Sequence, residues 1–148
     1  MQITWIIKPF NHLSLSELYD MMYLRQLVFV VEQNAAYLDA DLKDQKSIHI
    51  LAYYNKELIA YSRIIEPNVS YKEACIGRVV NHPNYRKKGI GKLLMSKSID
   101  ALEKYYKTSA CRISAQTYLL PFYETYGFKV CSEEYLEDGL PHHEMVRN

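Results

Sequence analysis

The chain has 148 residues, 49% hydrophobic and 24% charged, which suits one globular domain, residues 1–148, with a single core and excludes a disordered or fibrous polypeptide. Eighteen Lys and Arg stand against seventeen Asp and Glu, a formal net charge of +1. No global field therefore draws nucleic acid, an anionic membrane or a polyacidic partner, and any anion site must be local.

The opening Met1-Gln2-Ile3-Thr4-Trp5-Ile6-Ile7-Lys8 lacks a basic leader, and no apolar run nears the roughly 20 residues that cross a bilayer, so the expectation is a full-length cytoplasmic protein. Residues 3–7 are a short β-prone run. Ser14 and Glu17 then form a capping box, with Leu13 placed to staple to Leu18, and a helix starts there. Leu18, Met21, Met22, Arg25, Val28 and Phe29 recur at helical spacing, an apolar face with Arg25 along its margin as a salt-bridge residue or a substrate contact. Residues 37–46 are polar and irregular. Residues 47–54 and 57–65 read as strands joined by a turn at Asn55-Lys56.

A third strand is expected over 73–81, a break at His82-Pro83-Asn84, and a long amphipathic helix over 89–105. Residues 111–116 read as a strand, 121–126 as a short helix with Pro121 in its first turn and Gly127 at its C-terminal cap, and 128–131 and 140–146 as further strands. The order β-α-β-β-β-α-β-α-β, with one more strand at the end, describes an α+β sheet covered by helices. Cys75, Cys111 and Cys131 are odd in number and form no Cys-x-x-Cys pair, which reads as free thiols in a reducing compartment.

The segment Arg86-Lys87-Lys88-Gly89-Ile90-Gly91-Lys92 joins a strand to a helix, so it gathers free backbone N–H groups, a helix N-terminus and up to four cationic side chains. That combination cradles phosphate, and glycine lets the phosphate approach the main chain. A P-loop would need Gly where Arg86 stands, and the dinucleotide motif a third Gly where Leu94 stands, so neither applies.

Arg86-x-x-Gly89-x-Gly91 in this setting resembles the first signature of the GNAT N-acetyltransferase superfamily, and Phe122-Tyr123-Glu124-Thr125-Tyr126-Gly127-Phe128 is similar to its second. Arg25 to Gln33, Tyr37-Leu38-Asp39-Ala40-Asp41 and Glu137-Asp138-Gly139-Leu140-Pro141-His142 resemble the ElaA-like branch, so the likeness covers almost the whole chain. The resemblance implies an α+β GNAT (acyl-CoA N-acyltransferase) fold, a mixed central sheet of about six or seven strands flanked by helices. It also implies acetyl-CoA as co-substrate and no metal. Cofactor contacts would fall on the backbone of Val79, Val80 and Asn81 and on Arg86, Lys87, Lys88, Gly89, Ile90, Gly91 and Lys92. Gln116 joins them where the family often has Asn.

In such enzymes a primary amine attacks the thioester directly and expels a thiolate through a tetrahedral oxyanion. Tyr123 matches the general acid, a phenol near ~10 facing a thiol near ~8.5. Glu73, placed at the start of the third strand, is the candidate base, beside His49, Glu32 and His142. Arg25, Glu32 and His142 are candidate acceptor contacts. His49 alternates with Ile48 and Ile50 and reads as a hydrogen-bonded sheet residue. Asp39-x-Asp41-x-x-Asp44 fails as an EF-hand, because its twelfth position is Ile50, and His142-His143-Glu144 fails as a zinc site, because neighbours on a strand face opposite ways.

The expected partner is a small-molecule or protein amine, with neither nucleic acid nor membrane, and homodimer formation is left open. Transfer of a longer acyl group is one alternative. The other is a non-catalytic CoA-binding sensor or partner-binding module on the same fold.

Overall fold

A computed structural model describes all residues from Met1 to Asn148. Strand β1 (Thr4–Pro9) leads to helix α1 (Leu15–Arg25), whose capping box is formed in both directions between Ser14 and Glu17. The helix runs on as a π-helix over Gln26–Glu32, where Gln33 N–H reaches the Val28 carbonyl at 3.1 Å and Ala35 N–H the Val30 carbonyl at 3.1 Å. Such widened turns cluster at functional sites.

Strands β2 (Ser47–Tyr54) and β3 (Glu57–Ile65) make the expected hairpin, with Asn55 and Lys56 both at positive φ, 49° and 65°. That is the primed turn whose twist suits a two-residue connection. With β4 (Cys75–Asn81) they form an antiparallel sheet in the order β1-β2-β3-β4. Both faces are covered: Met21 and Leu24 of α1 and Val28 of the π-helix pack on Leu51, Leu58 and Tyr61, and Leu94, Met95 and Leu102 of helix α2 (Ile90–Tyr106) pack on Ile50, Ala52 and Ile64. Burying each such aliphatic side chain contributes about 1.5–3 kcal/mol.

Strand β5 (Cys111–Gln116), helix α3 (Leu120–Glu124) and strands β6 (Lys129–Val130), β7 (Tyr135–Glu137) and β8 (Leu140–Arg147) complete the chain. Strand β8 is central to this second antiparallel sheet, flanked by β5 on one side and by β6 and β7 on the other. No helix is long and apolar enough to cross a membrane.

The α+β architecture is as expected, and the count of about six or seven strands is close to the eight observed, of which β6 and β7 span only two and three residues. The third strand starts at Cys75, so Glu73 lies outside it. The two sheets meet at one parallel bridge, Ala74 to Cys111, where Arg112 N–H donates to the Ala74 carbonyl at 2.9 Å. Beyond that bridge β4 has no partner on its β5 side.

Candidate active site

A bulge shapes the free edge of β4. Tyr61 pairs with Val80 but Arg63 pairs with Gly77, so β4 carries one extra residue, and Arg78 takes a positive φ of 51°. A left-handed arginine costs of order 1–3 kcal/mol. Compensation comes from its guanidinium, which donates from Nη2 to the Asp39 carbonyl at 3.1 Å and holds Nε 2.9 Å from Asp39 Oδ1, an ionic contact rather than an aligned hydrogen bond.

Between the diverging edges of β4 and β5 lies a cavity of about 370 Å³. Val79 and Arg78 line it from β4, Gln116 from β5, Tyr123 from α3 and His142 from β8. Phe29, at the middle of the π-helix, and Gln33, just beyond its end, close another side. Tyr123 is buried, with its ring held edge-on by Phe122 at 5.2 Å and Phe128 at 6.1 Å between centroids. Burial pushes its phenol up to about 12. The side chain therefore keeps its proton at neutral pH and can donate into the cavity.

The basic turn lies at the other end of β4. Lys87 and Gly89 both have positive φ, 63° and 77°, and Gly89 is the N-cap of α2, offering no side chain to the helix. The first N–H groups of α2 therefore lack an intrahelical acceptor. A Cβ on Gly91 would come within 3.4 Å of Asn81 Nδ2, and Asn81 Oδ1 is buried without a partner. Lys87, Lys88 and Lys92 are exposed, whereas Ile90 is buried in the core under α2. Val80 is also core, wedged among α1 residues.

Arg86 is directed elsewhere. Its guanidinium donates to Glu32 at 2.9 Å, and that hydrogen bond, followed by its charge, holds the Glu32 carboxyl below its ordinary range. The candidate cofactor residue and the candidate acceptor residue are each other's partner. Glu73 is likewise occupied: Arg112 Nε and Nη2 grip its two oxygens at 3.1 Å each, away from the cavity lining.

Arg25 is not marginal but completely buried, and the salt-bridge alternative describes it. Nε donates to Asp39 Oδ2 at 2.8 Å and Nη1 to Asp44 Oδ1 at 2.7 Å. Arg63 joins Asp44 at 2.9 Å and Asp41 at 2.8 Å. Burial raises the Asp44 carboxyl, but hydrogen bonds and charge from Arg25 and then Arg63 outweigh it, leaving a low pKa. The Asp39, Asp41 and Asp44 spacing thus serves three arginines, Arg25, Arg63 and Arg78. Spacing alone did not single out Arg63, although an arginine flanked by Ser62 and Ile64 in a largely apolar strand was a visible signal.

His49 has both nitrogens engaged, Nε2 with the Asp44 carbonyl at 2.8 Å and Nδ1 with the Tyr61 hydroxyl at 2.7 Å. Burial depresses its pKa to about 4. It is a structural residue of the sheet, and it does not line the cavity. His142 does line it, directly opposite Gln116 in the β5–β8 register.

A family model described as an acetyltransferase (GNAT) domain matches residues 20–148. A UPF0039 protein of Schizosaccharomyces pombe is 42% identical over 97% of this chain and 95% of its own. A crystal structure described as an acyl-CoA N-acyltransferase from Pseudomonas aeruginosa superposes with a TM-score of 0.96 at 36% identity, covering 99% of this chain and 100% of that one. The crystal structure of Escherichia coli ElaA gives 0.93 at 38% identity, over 99% and 100%.

Proposed function

The chain belongs to the GNAT acetyltransferase family and is an acyltransferase, and from that premise we propose that residues 1–148, as one domain, move an acetyl group from acetyl-CoA to a primary amine. The observation that carries this reading is Tyr123, protonated and buried in the cavity between the separated edges of β4 and β5. The Pseudomonas relative's description as an acyl-CoA N-acyltransferase supports the thioester as donor.

The uncapped start of α2, the exposed Lys87, Lys88 and Lys92 and the orphaned Asn81 Oδ1 suit a pyrophosphate with a polar linker entering along β4. The open edge of β4 at Val79 to Asn81 offers main-chain groups to an amide-bearing arm, much as a missing strand would. Gln116 stands on the opposite wall.

The acceptor nitrogen attacks the carbonyl carbon, and charge moves to oxygen and then to sulfur. With its phenol near 12, Tyr123 is a weaker acid than the departing thiol near ~8.5, so complete early transfer is uphill. Its hydrogen bond to the developing thiolate is the favourable part of the step, and the proton follows as the carbon–sulfur bond opens.

Free-thiol detection from acetyl-CoA across polyamine, amino-sugar and peptide amines tests the function. Turnover on at least one acceptor is expected, and Tyr123→Phe should lower kcat by about 100-fold while leaving CoA affinity unchanged. Equal turnover in that variant would remove Tyr123 from the chemistry.

A further inference from the structure

Directly opposed residues of an antiparallel pair present their side chains to the same face. His142 of β8 stands opposite Gln116 of β5 and Tyr135 of β7, which sets it on the cavity face beside a candidate cofactor contact. Only 6% of its surface is exposed. Its ring stacks on Tyr135, with centroids 6.1 Å apart and planes inclined by 24°.

The hydrogen bonds fix its tautomer. Nδ1 lies 2.7 Å from the Leu140 carbonyl oxygen, which can only accept, so Nδ1 carries the hydrogen. The neutral ring then bears its lone pair on Nε2. Glu137 Oε2 is 3.5 Å from Nε2, long for a hydrogen bond yet close enough to favour the ring once a proton arrives. Glu137 and Tyr135 from β7 and Gln116 from β5 stand beside this imidazole, and Arg78, Asp41, Asp138 and Tyr123 are among the other groups that line the cavity. Arg78 and Asp41 are already paired, to Asp39 and Arg63 respectively, so neither is a free base.

We propose that His142 is the general base that deprotonates the acceptor amine, with Glu137 stabilising the imidazolium that results. The inference rests on the acetyl-transfer function proposed above. Nε2 takes one proton from the ammonium, and the freed lone pair forms the carbon–nitrogen bond. The carbon–sulfur bond breaks with its electrons on sulfur, which receives the Tyr123 proton. The nitrogen's second proton, lost as the amide forms, restores Tyr123 through water, and His142 passes its own proton to solvent past Glu137, whose side chain is 48% exposed. One ammonium and one thioester become one amide, one thiol and one released proton.

The test compares wild type, His142→Ala and His142→Gln for thiol release from acetyl-CoA with spermidine, glucosamine and an α-amino peptide, and for CoA binding. Both variants should bind CoA as wild type does while losing about 100-fold or more in kcat. Added imidazole should restore part of the His142→Ala rate by entering the vacated space, and none of the His142→Gln rate. A loss of only a few-fold, with wild type active, overturns the role of His142 and leaves acetyl transfer standing. No turnover by wild type on any amine overturns the transfer reading itself. Nitrogen NMR of the free protein at mildly alkaline pH should find the proton on Nδ1, and the opposite tautomer overturns the proposal whatever the acceptor.

Discussion

Two regions gather positive charge and do opposite things with it. At the start of α2, Lys87, Lys88 and Lys92 stand in solvent around an uncapped helix end. Under α1, Arg25, Arg63 and Arg78 are matched in number by Asp39, Asp41 and Asp44, each arginine bridging two of them. The first region has charge and N–H groups to offer a ligand, whereas the second has spent its charge on holding the 39–44 loop against the sheet. A count of basic residues along a sequence does not separate the two. The presence of a partner does.

The sharpest way to break this contrast is to remove a partner from the closed region. Arg25→Met strands Asp39 and Asp44 as buried carboxylates with reduced compensation, and should cost about 3–5 kcal/mol in urea unfolding. Acid probes the same region. His49 is depressed to about 4 by burial, while its unfolded counterpart titrates near 6.5, so the unfolded chain binds the extra proton first. Stability should therefore fall by roughly 3 kcal/mol as pH drops from about 6.5 to about 4, and His49→Gln should flatten that part of the profile. Asp44, held low, contributes stability that persists above its unfolded pKa and is lost only at more acidic pH.

In the open region the expected effects are smaller and fall on binding. Gly89→Ala forces a side chain into a left-handed φ of 77° although the added Cβ meets nothing within 4 Å, so the cost is conformational, about 1–2 kcal/mol. CoA titration should show weaker affinity in that variant with kcat little altered. A loss of turnover at saturating acetyl-CoA would place the turn in the chemistry instead.

How much of this was legible depended on whether the signal was local. The Ser14–Glu17 capping box, the Asn55-Lys56 hairpin and the 111–116 strand could be read to the residue, because turn chemistry and alternation are local. The π-helix could not, since apolar spacing hardly distinguishes bonding to the fourth residue from bonding to the fifth. Arg25 looked marginal because its partners come 14 and 19 residues later, on a loop without periodicity. Glu73 looked available for the same reason, its Arg112 lying 39 residues away. The basic turn and Tyr123 were singled out by motif. The tautomer of His142 needed the Leu140 carbonyl in three dimensions.

The unpaired edge of β4 has a consequence apart from catalysis. An exposed, flat edge strand invites other chains to add to it, and repeated addition ends in aggregates. Here the edge faces a cavity shared with β5 and is interrupted by the Arg78 bulge, so a straight intruding strand does not find a continuous row of partners. The bulge that breaks the edge of β4 beside the cavity also works against polymerisation of the protein with itself.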